Sequence, residues 1–263
     1  MVTAAVDGIY TDPYFGELDS DAGDSKRLRA VVQNLNLDFA ELMRTHGQRH
    51  VIVDQKEPGS SSRITTRAQF EDRIVNLLKR NRGRELPGMY NPMIVGELFH
   101  QQAQPWEGKA TVHVRNICSA VEVFFGKTLT YLADDNTSSN LLRDVTGPLM
   151  SERVKDINAK VNEILIPFTR GHPITYNHYF TETIQSIRQK RLEKDITDRL
   201  RKFSPEYFEG SGKIMDNFGA NLKVSDLVSA LSTRNEVDMD KYAASEILLC
   251  MEAYYKVSAV SFL

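Results

Sequence analysis

Long apolar runs, cysteine and an excess of charge are all scarce in this chain of 263 residues. No stretch of 18 apolar residues occurs, so the sequence offers no helix able to span a bilayer. Residues 1–5 have neither a charged start nor an apolar run, the two parts that a secretory signal needs. Only two cysteines are present, Cys118 and Cys250, each inside an apolar helical pattern. The expectation is two buried, reduced thiols, as in a cytosolic protein. Formal net charge is −2, which leaves no overall basic excess to draw the molecule onto nucleic acid. Alternating strand patterns are nearly absent, with "HVIVD" at 50–54 the one candidate.

What is there is helical periodicity in an ordinary globular composition, 41% hydrophobic and 26% charged. The acidic, turn-rich opening (Asp7, Asp12, Glu17, Asp19, Asp21, Asp24) gives way at Ser25 to a three-and-four spacing: Leu28, Val31, Val32, Leu35, Phe39, Leu42 and Met43. Gly47 ends that helix, and Pro58-Gly59-Ser60-Ser61-Ser62 reads as an exposed loop. Phe70, Ile74, Leu77 and Leu78 predict a second helix running into the basic stretch "KRNRGRELPGMYNP", residues 79–92.

Asn91-Pro92 then reads as a helix start, a capping side chain followed by proline. The pattern continues from Ile94 to about Leu132, where Pro105 must kink or break it beside the single tryptophan, Trp106. A further helix is predicted from about Ser138 to Ile166, bent or divided at Pro148, and another over 175–202. The last begins near Asp238. Long helices joined by short turns favour an all-α fold, an elongated antiparallel helical bundle.

Motifs for chemistry are few. "GSGK" at 210–213 fails as a P-loop, because Tyr207 and Ile214 stand where the glycine and the hydroxyl residue belong. His46 and His50 are four apart, but Gly47 lies between them and no further ligand is near in sequence. His172 and His178 flank Pro173 and read as a turn and a helix start. A metal-cored helical enzyme would carry paired Glu-x-x-His motifs, and none occurs. No catalytic, cofactor-binding or metal-binding residue is therefore assigned. "NTS" at 136–138 matches a glycosylation sequon without a secretion signal to give it meaning.

Two basic segments remain. In 79–92, Lys79, Arg80, Arg82 and Arg84 precede a Pro-Gly break; they lack the glycine-lysine geometry for phosphate, and Tyr90 alone makes no stacking series for nucleic acid. A hinge with solvated arginines and a partner-facing loop both stay open. In "RQKRLEKDITDRLRK", 188–202, the basic residues are Arg188, Lys190, Arg191, Lys194, Arg199, Arg201 and Lys202. Against Glu193, Asp195 and Asp198 they leave a local charge of +4. That segment is either a solvated, internally paired helix face or a contact for an anionic membrane surface.

Four ordered segments carry a resemblance: "KRLRAVVQNLNLDFAELMR"; "RGRELPG" followed by "NPMIVGELFHQQAQPW"; "HPITYNHYFTETIQSIRQKR"; and "DMDKYAASEILLCMEAYYKVSAVSF". Together they resemble the stalk of dynamin-superfamily GTPases, Mx-like members and the dynamin-like proteins of filamentous fungi above all. The last segment is similar to the first half of the GTPase effector domain.

The resemblance implies a stalk middle region over 1–235, loop-rich at 203–235, with an effector-domain helix over 236–263 on the same bundle. It implies a chain that assembles with itself, acts mechanically and does not hydrolyse GTP alone. GTP and magnesium would belong to a GTPase domain whose P-loop this sequence lacks, as in a stalk fragment or truncated product. By the same resemblance, Arg82, Gly83, Arg84 and Glu85 fall at a self-assembly interface. The basic residues of 188–202 fall near the tip that meets membrane or target. The expected setting is cytoplasmic, peripheral to membrane, with no nucleic-acid partner.

Overall fold

Every long periodic stretch of the sequence is a helix in the computed structural model. The structure describes residues 1–17, 21–59, 61–86, 88–203 and 238–262, and at 21, 22 and 200–203 the backbone alone. In chain order the helices are α1 (Val2–Asp7), α2 (Leu28–His46), α3 (Arg67–Arg80), α4 (Met93–Ala103) and α5 (Pro105–Leu132). They continue as α6 (Asp135–Leu141), α7 (Gly147–Thr169), α8 (His178–Phe203) and α9 (Met239–Phe262). Among the described residues the fold is all-α but for one short hairpin, β1 (Val51–Val53) paired with β2 (Ile64–Thr66). The GSGK tetrapeptide and the glycine- and aromatic-rich stretch around it lie outside the described residues. No described helix is long and apolar enough to cross a membrane.

Proline and the caps decide where the helices stop. Pro105 breaks rather than kinks its pattern: α4 ends at Ala103 and Pro105 opens α5, where its missing N–H costs nothing. Asn91 Oδ1 accepts from the Met93 amide at 2.9 Å, just ahead of α4. A capping box starts α3: Thr66 Oγ1 accepts from the Gln69 amide, and Gln69 Oε1 from the Thr66 amide, each at 3.2 Å. Pro148 is the second residue of α7, and a π-helical turn at Leu142–Thr146 divides α7 from α6 ahead of it.

The chain forms two compact units, one of Met1–Val51, His100–His172 and Phe262–Leu263, the other of Ile52–Phe99 and Pro173–Ser261. In the first unit, α2 packs on α5 and α5 on α7. Gly47, just past the end of α2, accepts from the indole N–H of Trp106 at the start of α5, 3.1 Å away. Phe39 stacks on His113 at 4.3 Å midway along the pair, and Lys127 near the end of α5 bonds Ser25 ahead of α2. Trp106 is fully buried, 5.1 Å from the ring of Phe262 and 5.4 Å from that of Phe168 near the end of α7.

Buried Gln102 ties down the chain after α2. Its side chain accepts from the His50 amide at 2.8 Å and donates to the His50 carbonyl at 3.0 Å. The acidic opening is more ordered than its turn residues suggest. Ala5 of α1 joins Tyr14, Phe15 and Phe124 in a buried cluster, and the Tyr14 hydroxyl meets Thr128 Oγ1 at 2.9 Å.

In the second unit α9 is the centre. Ala243, Ala244, Ile247, Leu248, Met251 and Val257 are among its buried residues, and Phe99 meets Tyr254 edge-on at 4.7 Å. Phe70, Ile74 and Leu78 form the buried side of α3. Cys118 is buried as expected, whereas Cys250 is half-buried, with its sulfur 3.5 Å from the Tyr90 hydroxyl.

Candidate functional site

The loop after α3 is built by chain reversal and by one carboxylate. Asn81 caps α3, its amide bonding back to Leu77 and Leu78. Two residues on, the Gly83 amide donates to Glu85 Oε2 at 2.6 Å, so Glu85 folds the loop onto itself. A Cβ at position 83 would stand 3.1 Å from that carboxylate, which is why glycine suits the place. Gly88 then turns the chain at φ +81°, a left-handed conformation that glycine adopts without steric cost.

The two arginines of this loop part company. Arg82 pairs with Asp240 of α9 at 2.6 Å, inside its own unit. Arg84 is exposed and makes no ion pair among the described residues. Beside them lies a cleft of about 370 Å³ lined by Leu78, Arg82, Glu85, Tyr90, Met239 and Asp240. Exposed Leu86 and Met89 stand at its rim. Burial, and then the contact with Cys250, push the Tyr90 phenol well above its ordinary range, so it stays a neutral hydroxyl.

The second basic segment lies on α8. Arg188, Arg191 and Lys194 follow one another at intervals of three, which places them along one side of the helix. Each has a partner within the unit. Arg188 pairs with Glu246 of α9, Arg191 donates to Ser245 Oγ at 2.8 Å, and Lys194 pairs with Asp54 after β1 at 2.9 Å. Arg199 pairs with Asp195 one turn back at 2.9 Å. Lys190 is exposed and has no ion pair among the described residues. The side chains of Arg201 and Lys202 lie outside the described residues.

These contacts surround a second cleft, of about 450 Å³, whose walls include Asp54, Arg67, Glu71, Lys190, Arg191 and Lys194. Arg67 links two of its sides, reaching Asp54 at 3.6 Å and Glu252 of α9 at 2.9 Å. Burial raises the Glu71 carboxyl above its usual range, and the nearby Arg67 and Arg191 only partly offset this. The bonded Lys194 ammonium holds Asp54 below its usual range. Burial, with Arg67 adding repulsion, lowers Arg191. Arg67, Lys190, Arg191 and Lys194 share this cleft with Asp54, Glu71, Asp195 and Asp198, so its cations are matched in number by carboxylates of the same unit.

Asp54, Arg67, Glu71, Glu246 and Glu252 escape a reading by local pattern, because their partners stand 140 or 185 positions away for Asp54–Lys194 and Arg67–Glu252. One signal was available. A carboxylate set among apolar residues, as in "ASEILLCMEAYY", requires a cation when its helix is buried. Among the described residues no three His, Cys, Asp or Glu side chains are grouped to hold a metal ion. No protein-family model, no curated protein and no solved structure matches this chain.

Proposed function

We propose that this chain is a self-assembly module of the dynamin-stalk type, an elongated antiparallel helical bundle acting mechanically and not as an enzyme. In this reading, contacts between copies couple GTP hydrolysis, performed by a separate GTPase domain, to remodelling of a membrane or other target in the cytoplasm. The observation that carries it is the end-to-end matching of α2, α5 and α7. The end of α2 meets the start of α5 at Gly47 and Trp106, and the start of α5 meets the end of α7 at Trp106 and Phe168. Opposite ends in contact is the pattern of an up-down-up bundle.

Arg84 is the residue best placed to meet a second copy, since it is exposed and has no ion pair among the described residues. Arg82, Gly83 and Glu85 shape the loop that presents it. Sedimentation and light scattering of the purified chain across protein and salt concentrations test the proposal. Assembly that weakens with salt and with Arg84→Asp is the expected result. A monomer at every concentration, unchanged by Arg84→Asp, overturns it.

A second reading has one observation in its favour. Exposed Lys190 sits in a segment of net charge +4, which supports peripheral contact of α8 with an anionic membrane. Cosedimentation with anionic but not neutral vesicles is its expected mark.

A further inference from the structure

We propose that Asp54 and Glu246 form an internal latch on the basic stripe of α8, and that the phosphates of an anionic bilayer compete with them for it. The proposal rests on the second reading above, that α8 meets an anionic membrane, and adds what regulates it. The stripe is Arg188, Arg191 and Lys194, and all three point into contacts of their own unit. A bilayer cannot use those cations while the contacts stand, which leaves it, among the described side chains of the segment, exposed Lys190.

The latch is open to competition because it sits at the surface. The Lys194 and Arg188 side chains are 65% and 57% exposed, so water and salt screen their pairs. Internal partners also leave donor capacity unused. Arg191 Nη2 and Arg67 Nη1 are buried and have no hydrogen-bond acceptor among the described residues. A phosphate group brings several charged acceptor oxygens, and arginine binds such groups through two nitrogens at once. A basic group near an anionic membrane gains about as much as an exposed ion pair gives, so the balance is close enough for two carboxylates to set it.

The test uses the full chain and its double variant Asp54→Asn, Glu246→Gln, which keeps side-chain shape and removes charge. Binding is measured by cosedimentation with vesicles of phosphatidylserine and phosphatidylcholine, and of phosphatidylcholine alone. The double variant should bind the anionic vesicles roughly threefold to thirtyfold more strongly than the wild type, and neither should bind neutral ones.

Asp38→Asn, Glu107→Gln is the charge-matched control, since both acids are exposed and outside these contacts. An equal gain in that control overturns the latch, because overall charge would then suffice. Equal binding by wild type and latch variant overturns the latch and leaves the membrane reading standing; no binding by either overturns both. Full competition by inorganic phosphate at matched phosphate concentration overturns the assignment to a surface. Thermal melts check the fold. Lys190→Glu, added to the latch variant, should lower vesicle binding without moving the melt, and unchanged binding overturns a role for this face.

Discussion

Two helices of the same unit, α8 with 26 residues and α9 with 24, are held by different forces. Eleven residues of α9 are buried, among them Ile247, Leu248 and Leu249 with no exposure at all. Among the α8 side chains described, Thr183 alone is buried, and the helix is tied down by Arg188, Arg191 and Lys194. Apolar burial is strong, undirected and indifferent to salt, whereas exposed ion pairs are weak, directed and screened. The unit therefore joins a permanent helix to a negotiable one.

The comparison breaks most sharply in α9. Leu248→Ala removes a fully buried side chain and should cost about 2–5 kcal/mol in a denaturant melt, with added salt changing the loss little. Arg67→Ala comes next. It severs the bond to half-buried Glu252 and the contact to Asp54, for an expected loss of about 1–3 kcal/mol. Lys194→Ala frees one exposed pair and should cost under about 1 kcal/mol. That loss should vanish near 1 M salt, and amide exchange along α8 should quicken with ionic strength while α9 stays protected.

The smallest effect concerns pH and separates two carboxylates of one cleft. The folded-state pKa of Glu71 is raised by burial, so its charge opposes folding above that pKa, and the cost fades as pH falls through it. Glu71→Gln should raise the melting temperature slightly at pH 7 and not near pH 4. Asp54 has its folded-state pKa lowered by Lys194, so its stabilising effect is full above the unfolded value and is lost as pH falls through the lowered one. Asp54→Asn should accordingly lower the melt slightly at pH 7 and converge with wild type in acid.

Local signals carried most of the fold. The spacing of Leu28 to Met43 reproduces α2, and Pro105 marks the break between α4 and α5 because its chemistry acts on its own neighbours. Strand β2 was not legible, since three residues are too few to show alternation and only pairing with β1 fixes them. Nor was α1, whose six residues depend on burying Ala5 against Tyr14, Phe15 and Phe124. For the sites, the basic residues themselves were visible and their disposition was not. Whether an arginine stays exposed, as Arg84 does, or pairs with an acid of its own unit, as Arg82 and Arg188 do, is settled by contacts 158 and 58 positions apart.

The setting of Trp106 has a spectroscopic consequence. It is the one tryptophan of the chain, shut away from water, with Phe168 and Phe262 around it and the Gly47 carbonyl on its N–H. Its emission should be blue and hard to quench, and it reports on one meeting point of helix ends in the first unit. Far-ultraviolet dichroism counts all helices alike. A titration in which ellipticity falls before the emission reddens would therefore place the first loss of helix away from the indole, with no label added to the chain.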